Sequence, residues 1–354
     1  ARSARCDARA WPAAESMRRT SWSVALIVGF AVLLAVGAAL LPDRPFGRWS
    51  SLHGTIYAET KWIYERTRFD PTPIDIAIVG TSRSREGVSA PRLDADLAAR
   101  GLPLHAVNFS LVQAGRGSDL AMLDELLRYK KPKLIIYEIQ EYPNRLVHPA
   151  YKFIGSPSSV ATSLLWRNSE YVDDLVYLPY RQMKSLWEGL LHGADLGDAR
   201  FVPSAYPGPE RETTGFMPLE GEVVENLQTP AAPETLSDQI NAYETTNERR
   251  VKRMPAAVRR LGAWDDRAFL ERVVALAHSH GVPIVFLHVP YFESSTTAEG
   301  QEIYGGVAPI WDADFLRDRS DVWNSIVHLT GRGGGILTDW LSVRVADFMR
   351  ERTA

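Results

Sequence analysis

Nineteen consecutive residues, Ser23 to Leu41, carry no charge, and nothing else in the chain restricts its possible folds as strongly. The run is rich in Val, Leu, Ala and Ile. As a helix rising about 1.5 Å per residue it matches a hydrocarbon core of about 30 Å. Arg18 and Arg19 precede it and Asp43 is the first acid after it. The positive-inside rule therefore places residues 1–22 in the cytoplasm and everything beyond Pro42 outside. A cleaved signal peptide is the competing reading, with small residues from Ala35 to Ala39 available to a peptidase. Signal-peptide apolar cores run to about 7–15 residues, so this longer run is read as a retained anchor, residues 23–41. The expected location is a single pass through the cytoplasmic (inner) membrane, with the main domain extracytoplasmic or periplasmic. The stretch up to Ser16 lacks apolar periodicity, and Met17 is read as the natural start.

The 354 residues are 45% hydrophobic and 23% charged, which suits an ordinary buried core. A net charge of -3 offers no basic excess for a phosphate backbone, so nucleic acid is not an expected partner. Cys6 is the single cysteine. No disulfide framework, thiolate metal site or HExxH pair follows from such a sequence, and no metal or cofactor is expected.

Residues 42–73 are read as a membrane-proximal helix and linker, with a helix over Trp49 to Phe69 that Pro71 and Pro73 end. From residue 74 onward, short apolar runs alternate with helical stretches, the pattern of a parallel sheet with crossover helices. Ile74 to Gly80, Leu104 to Ser110, Lys133 to Ile139 and Pro283 to Val289 are the expected strands. Ser118 and Asp119 cap a helix carrying Leu120, Leu123, Leu126 and Leu127. Asp265 or Asp266 is expected to start a helix through Phe269, Val273 and Leu276, stopped by Gly281 in a left-handed conformation. Gly335 to Met349 reads as a closing helix. An insertion over about 142–260 separates the third and fourth strands. Its first part, Tyr142 to about Asp198, reads as a helical lid, and Phe201 to Asp238 as an extended loop.

Ligands of parallel sheets sit beyond the carboxyl ends of the strands. The loop after the first strand, Gly80-Thr81-Ser82-Arg83-Ser84-Arg85-Glu86-Gly87, places serine on a tight strand-to-helix turn. There a hydroxyl can meet the positive end of a helix; the alternative is that Ser82 or Ser84 is only a cap. Asn108 and Ser110 follow the second strand, with the flexible Gly115-Arg116-Gly117 beyond them. His328 precedes the last helix. His288, at the end of the fourth strand, reads as structural. The glycines from Gly331 to Gly335 fit no nucleotide-binding spacing. Arg83, Arg85 and Arg116 are candidates to bind an anionic group, or solvated loop arginines.

The segments IVGTSRSREGV, NFSLVQAGRG and HLTGRGGGILTDWL resemble the SGNH (GDSL-like) hydrolase superfamily. They are most similar to its membrane-anchored envelope members of the DltD and AlgJ type, which work beside membrane-bound O-acyltransferases. The resemblance implies a flavodoxin-like three-layer parallel sheet over residues 74–354, with Ser82 as nucleophile and His328 as base. Gly115 would contribute to the oxyanion hole, with Asn108 and Arg83 near the substrate. The family places aspartate three residues before the histidine, where this chain has Ser325; Asp321 is the nearest upstream carboxylate. The family's oxyanion asparagine after the third strand is replaced by Glu138, Gln140 and Glu141, with Asn144 a little later. Either these groups come from elsewhere or the site is inactive. The expected function is a membrane-anchored acyl esterase or O-acyltransferase acting on a cell-envelope glycan, with a membrane protein partner and an acyl donor. The alternative is a catalytically degenerate accessory subunit of a larger membrane complex.

Overall fold

A computed structural model describes residues 11–113, 115–139, 147–166, 168–191, 201–214, 229–253, 255–294 and 303–352. The first described element is a 29-residue helix, α1 (Trp11–Ala39). Its Trp22–Ala39 portion, 18 residues with almost no buried surface, is long and apolar enough to cross a membrane. Helix α1 ends just before Pro42, which cannot extend it. The helix expected over Trp49 to Phe69 is instead two, α2 (Pro45–Ser50) and α3 (Glu59–Arg68). Between them the chain turns at Gly54, whose φ of +76° a side chain would resist.

Five strands form one all-parallel sheet in the order β2-β1-β3-β4-β5. They are β1 (Ile76–Val79), β2 (Ala106–Asn108), β3 (Leu134–Ile139), β4 (Ile284–His288) and β5 (Ile310–Asp312). This is the strand order of doubly wound flavodoxin-type sheets, and it reverses direction between β1 and β3. Four strands lie within the apolar runs read from the sequence. The fifth was not foreseen: its three residues are only half-buried at the sheet edge. Alternation along β1 sorts the core into two layers. Ala77 and Val79 pack with Leu123, Leu126, Phe269 and Val273 on one face, whereas Ile76 and Ile78 pack with Leu93, Leu97, Leu337 and Leu341 on the other.

The helices that build these layers are α4 (Ser82–Gly87), α5 (Ala90–Ala99), α6 (Ser118–Tyr129), α7 (Tyr151–Ile154), α8 (Pro157–Thr162), α9 (Tyr171–Leu191), α10 (Pro233–Arg253), α11 (Ala256–Ser279) and α12 (Gly331–Glu351). Three depart from expectation. The start foreseen at Asp265 or Asp266 falls inside α11, which begins after Pro255, a residue suited to a helix start. Helix α10 occupies part of the segment expected to be a loop. Thr330 accepts a hydrogen bond from Gly333 N at 3.1 Å, so α12 begins at Gly331, earlier than the closing helix read from Gly335. Gly281 does end α11 at φ +71°.

Candidate functional site

The turn after β1 is organised by a carboxylate from β3. Glu138 is buried, and one oxygen accepts from Thr81 N (3.0 Å) and Ser84 N (2.9 Å). The other accepts from Thr81 Oγ1 (2.7 Å) and Arg83 Nε (3.2 Å). Thr81 caps α4 in turn, accepting from Arg83 N at 3.3 Å. A Cβ on Gly80 would lie 2.5 Å from Glu138 Cβ, so only glycine lets the carboxylate close on the turn. Gly80→Ala should displace Glu138 and destabilise the chain by about 1–3 kcal/mol, the usual range for overpacking, read from the denaturation midpoint.

This turn leaves Ser82 partly exposed at the first position of α4 and hides Ser84 completely. Ser82 Oγ lies 3.0 Å from His328 Nε2. His328 sits in a tight turn in which Asn324 N donates to His328 O at 2.9 Å, pinned by the bridge between Trp323 and Leu329. Trp323 is fully buried and donates from Nε1 to Leu316 O at 2.8 Å. The structure thus brings together the two residues that the sequence placed 246 positions apart.

Behind the ring, Ser325 Oγ stands 3.3 Å from His328 Nδ1. It also accepts from His328 N (3.2 Å) and Val327 N (3.4 Å). A hydroxyl both donates and accepts, so it orients the imidazole without fixing which nitrogen carries the proton, and it adds no charge. Burial, reinforced by the Arg83 guanidinium, pushes the His328 pKa down to about 4, which keeps the ring neutral near pH 7. Glu86, one helical turn beyond Ser82, brings Oε2 to 3.8 Å from Nε2. Burial pushes its pKa up to about 7; Arg85 opposes the shift and Glu59 adds to it.

Several residues singled out in the sequence stand elsewhere. Asp321 is half-exposed and pairs with Arg319 (3.1 Å) and Arg332 (3.0 Å), not with His328. The Asn108 amide donates to Ser84 O and Val88 O, both at 2.9 Å, and its oxygen accepts from Ser110 N. It braces β2 against α4 and is committed to the backbone. Arg83 is buried between Glu138 and Val289 O, with Tyr291 under its guanidinium, so it does not reach out to a substrate. Arg85 pairs with Glu59 and Arg116 with Asp266. His288 contacts Asp312 across β4 and β5 at 2.8 Å, a structural place. Gly115 packs on the His148 backbone and lines a cavity of about 60 Å³ that includes Thr81 and Glu138 but neither Ser82 nor His328. Asn144, Gln140 and Glu141 lie outside the described residues.

The places of two acids, Glu138 and Glu86, were not read from the sequence. Glu138 carried a signal, a charge inside an otherwise apolar strand. Glu86 carried a weaker one, its four-residue spacing from Ser82. Among the described residues no cluster of three or more His, Cys, Asp and Glu is placed to hold a metal ion. Compared with known proteins, the chain matches no family model and no curated protein.

Proposed function

We propose that the chain is a membrane-anchored extracytoplasmic serine esterase or O-acyltransferase of the SGNH-like kind, acting on acyl esters of a cell-envelope glycan. The observation that carries the reading is the 3.0 Å approach of Ser82 Oγ to His328 Nε2 at the carboxyl end of β1. In the reaction, Nε2 accepts the hydroxyl proton as Oγ attacks the acyl carbonyl. The proton passes to the departing oxygen as the old ester bond breaks, leaving the acyl group on Ser82. Water or a sugar hydroxyl then attacks that ester with His328 again as base. The neutral ring near pH 7 suits it to the first step. The apolar length of α1 supports anchoring; the motif resemblance supports the substrate class.

The test is covalent labelling of the full chain, in membranes, by a fluorophosphonate probe. Labelling should occur and disappear in Ser82→Ala. A chain that never labels, or a Ser82→Ala variant that still does, overturns the enzyme reading. The uncharged Ser325 behind the ring favours a second reading, an accessory subunit that has lost catalysis. A stoichiometric membrane complex retained in an unlabelled chain would support it.

Glu86 makes the labelling rate depend on pH. Its carboxyl is protonated below about pH 7 and ionised above. The anion lies beside Nε2, where positive charge develops during attack, so the rate should rise as pH passes through 7. Glu86→Gln should flatten the profile in that interval; an unchanged rise would sink the assignment.

A further inference from the structure

Helix α9 turns one face to the domain and leaves the other bare. Leu178, Arg181, Gln182 and Gly189 are buried. On the opposite side, spaced by three or four residues, lie Val172, Val176, Tyr180, Met183, Trp187 and Leu190. No charge interrupts that set, and Val176 and Trp187 are 72% and 63% exposed. An apolar stripe of this length does not stay in water without reason.

The placement of α9 indicates what covers it. Gln182 Nε2 donates to Leu41 O at 3.0 Å, and Arg44 Nη1 donates to Ser185 O at 3.0 Å. Residues 41 and 44 directly follow the Trp22–Ala39 segment, and α1 itself packs on α9. Gly189 leaves room for the Arg44 guanidinium, which any Cβ there would overlap. The bare stripe is therefore held where the chain leaves α1. It contains Trp and Tyr, the side chains that settle at a membrane–water boundary.

We propose that α9 is an interfacial helix whose outer face lies in the lipid of the bilayer that α1 crosses. The inference rests on the reading of α1 as a membrane span, and its test separates the two. Cys6 is the chain's single cysteine, so a Cys6→Ser background allows one nitroxide label at a time in the full chain, reconstituted in phospholipid vesicles. Labels go at Leu33→Cys in the span, at Val176→Cys and Met183→Cys on the stripe, and at Lys184→Cys on the polar edge. Collision rates with oxygen, which partitions into lipid, and with a water-soluble nickel chelate are then compared.

At Val176 and Met183 the ratio of oxygen to nickel collisions should exceed that at Lys184 several-fold, while indicating a shallower depth than at Leu33. Free nickel access at the stripe with Leu33 still in lipid overturns the proposal and leaves the anchor standing. Exclusion of both reagents shows a protein covering and overturns it equally. Nickel access at Leu33 removes the anchor and this inference together.

Discussion

Ser325→Asp should label with a fluorophosphonate about 10²-fold faster than the parent chain, or more, a gain within the usual range for general acid–base assistance. The serine hydroxyl already faces His328 Nδ1 at 3.3 Å, so the position is right and only the charge is missing. A carboxylate accepts and cannot donate, which obliges Nδ1 to carry the proton and leaves Nε2 free to take one from Ser82. It also stabilises the imidazolium formed during attack. The second carboxylate oxygen can keep the backbone bonds that Ser325 now accepts from Val327 N and His328 N. The acid should also raise the His328 pKa from about 4, moving the lower limb of the labelling profile to higher pH. Ser325→Asn, similar in shape but uncharged, should show neither effect. Equal rates in the parent and the aspartate variant would mean that something other than the acid limits the site.

The second large effect is on stability. Glu138→Gln should cost about 3–5 kcal/mol, because it breaks a buried ion pair by removing the charge of one partner. Arg83 is almost wholly enclosed, and its Nη1 also donates to the carbonyl of Val289. The same carboxylate collects two backbone N–H groups and a hydroxyl from the turn that carries Ser82. Labelling of Ser82 should therefore fall along with the denaturation midpoint. A loss below about 1 kcal/mol would place Glu138 among ordinary surface pairs and contradict its burial.

What could be read from the sequence followed what residue type alone encodes. Four strands were legible because β-branched and apolar residues run unbroken where both faces of a sheet are covered. The edge strand β5 was not, since three half-buried residues give no pattern. The break between α2 and α3 depends on a turn through Gly54, which sequence periodicity spans without notice. Ser82 and His328 were legible from their places after the first strand and before the last helix. Asn108, Arg83 and Asp321 show the limit: each has the right chemistry, but direction is set by packing. Asn108 turns to the backbone, Arg83 to Glu138, and Asp321 to surface arginines.

The glycines at the start of α12 bear on which substitutions the site can absorb. A Cβ on Gly334 would come to 3.1 Å from Glu86 O, and one on Gly333 to 2.6 Å from Val322 O. The first turn of α12 thus rests on the backbone of α4 and of the segment leading to His328. The spacing between hydroxyl and imidazole depends in part on main chain lying against main chain. The residue at position 325 can then be exchanged without dismantling the pair of Ser82 and His328. A larger residue at Gly333 or Gly334, by contrast, would push these elements apart and the pair with them.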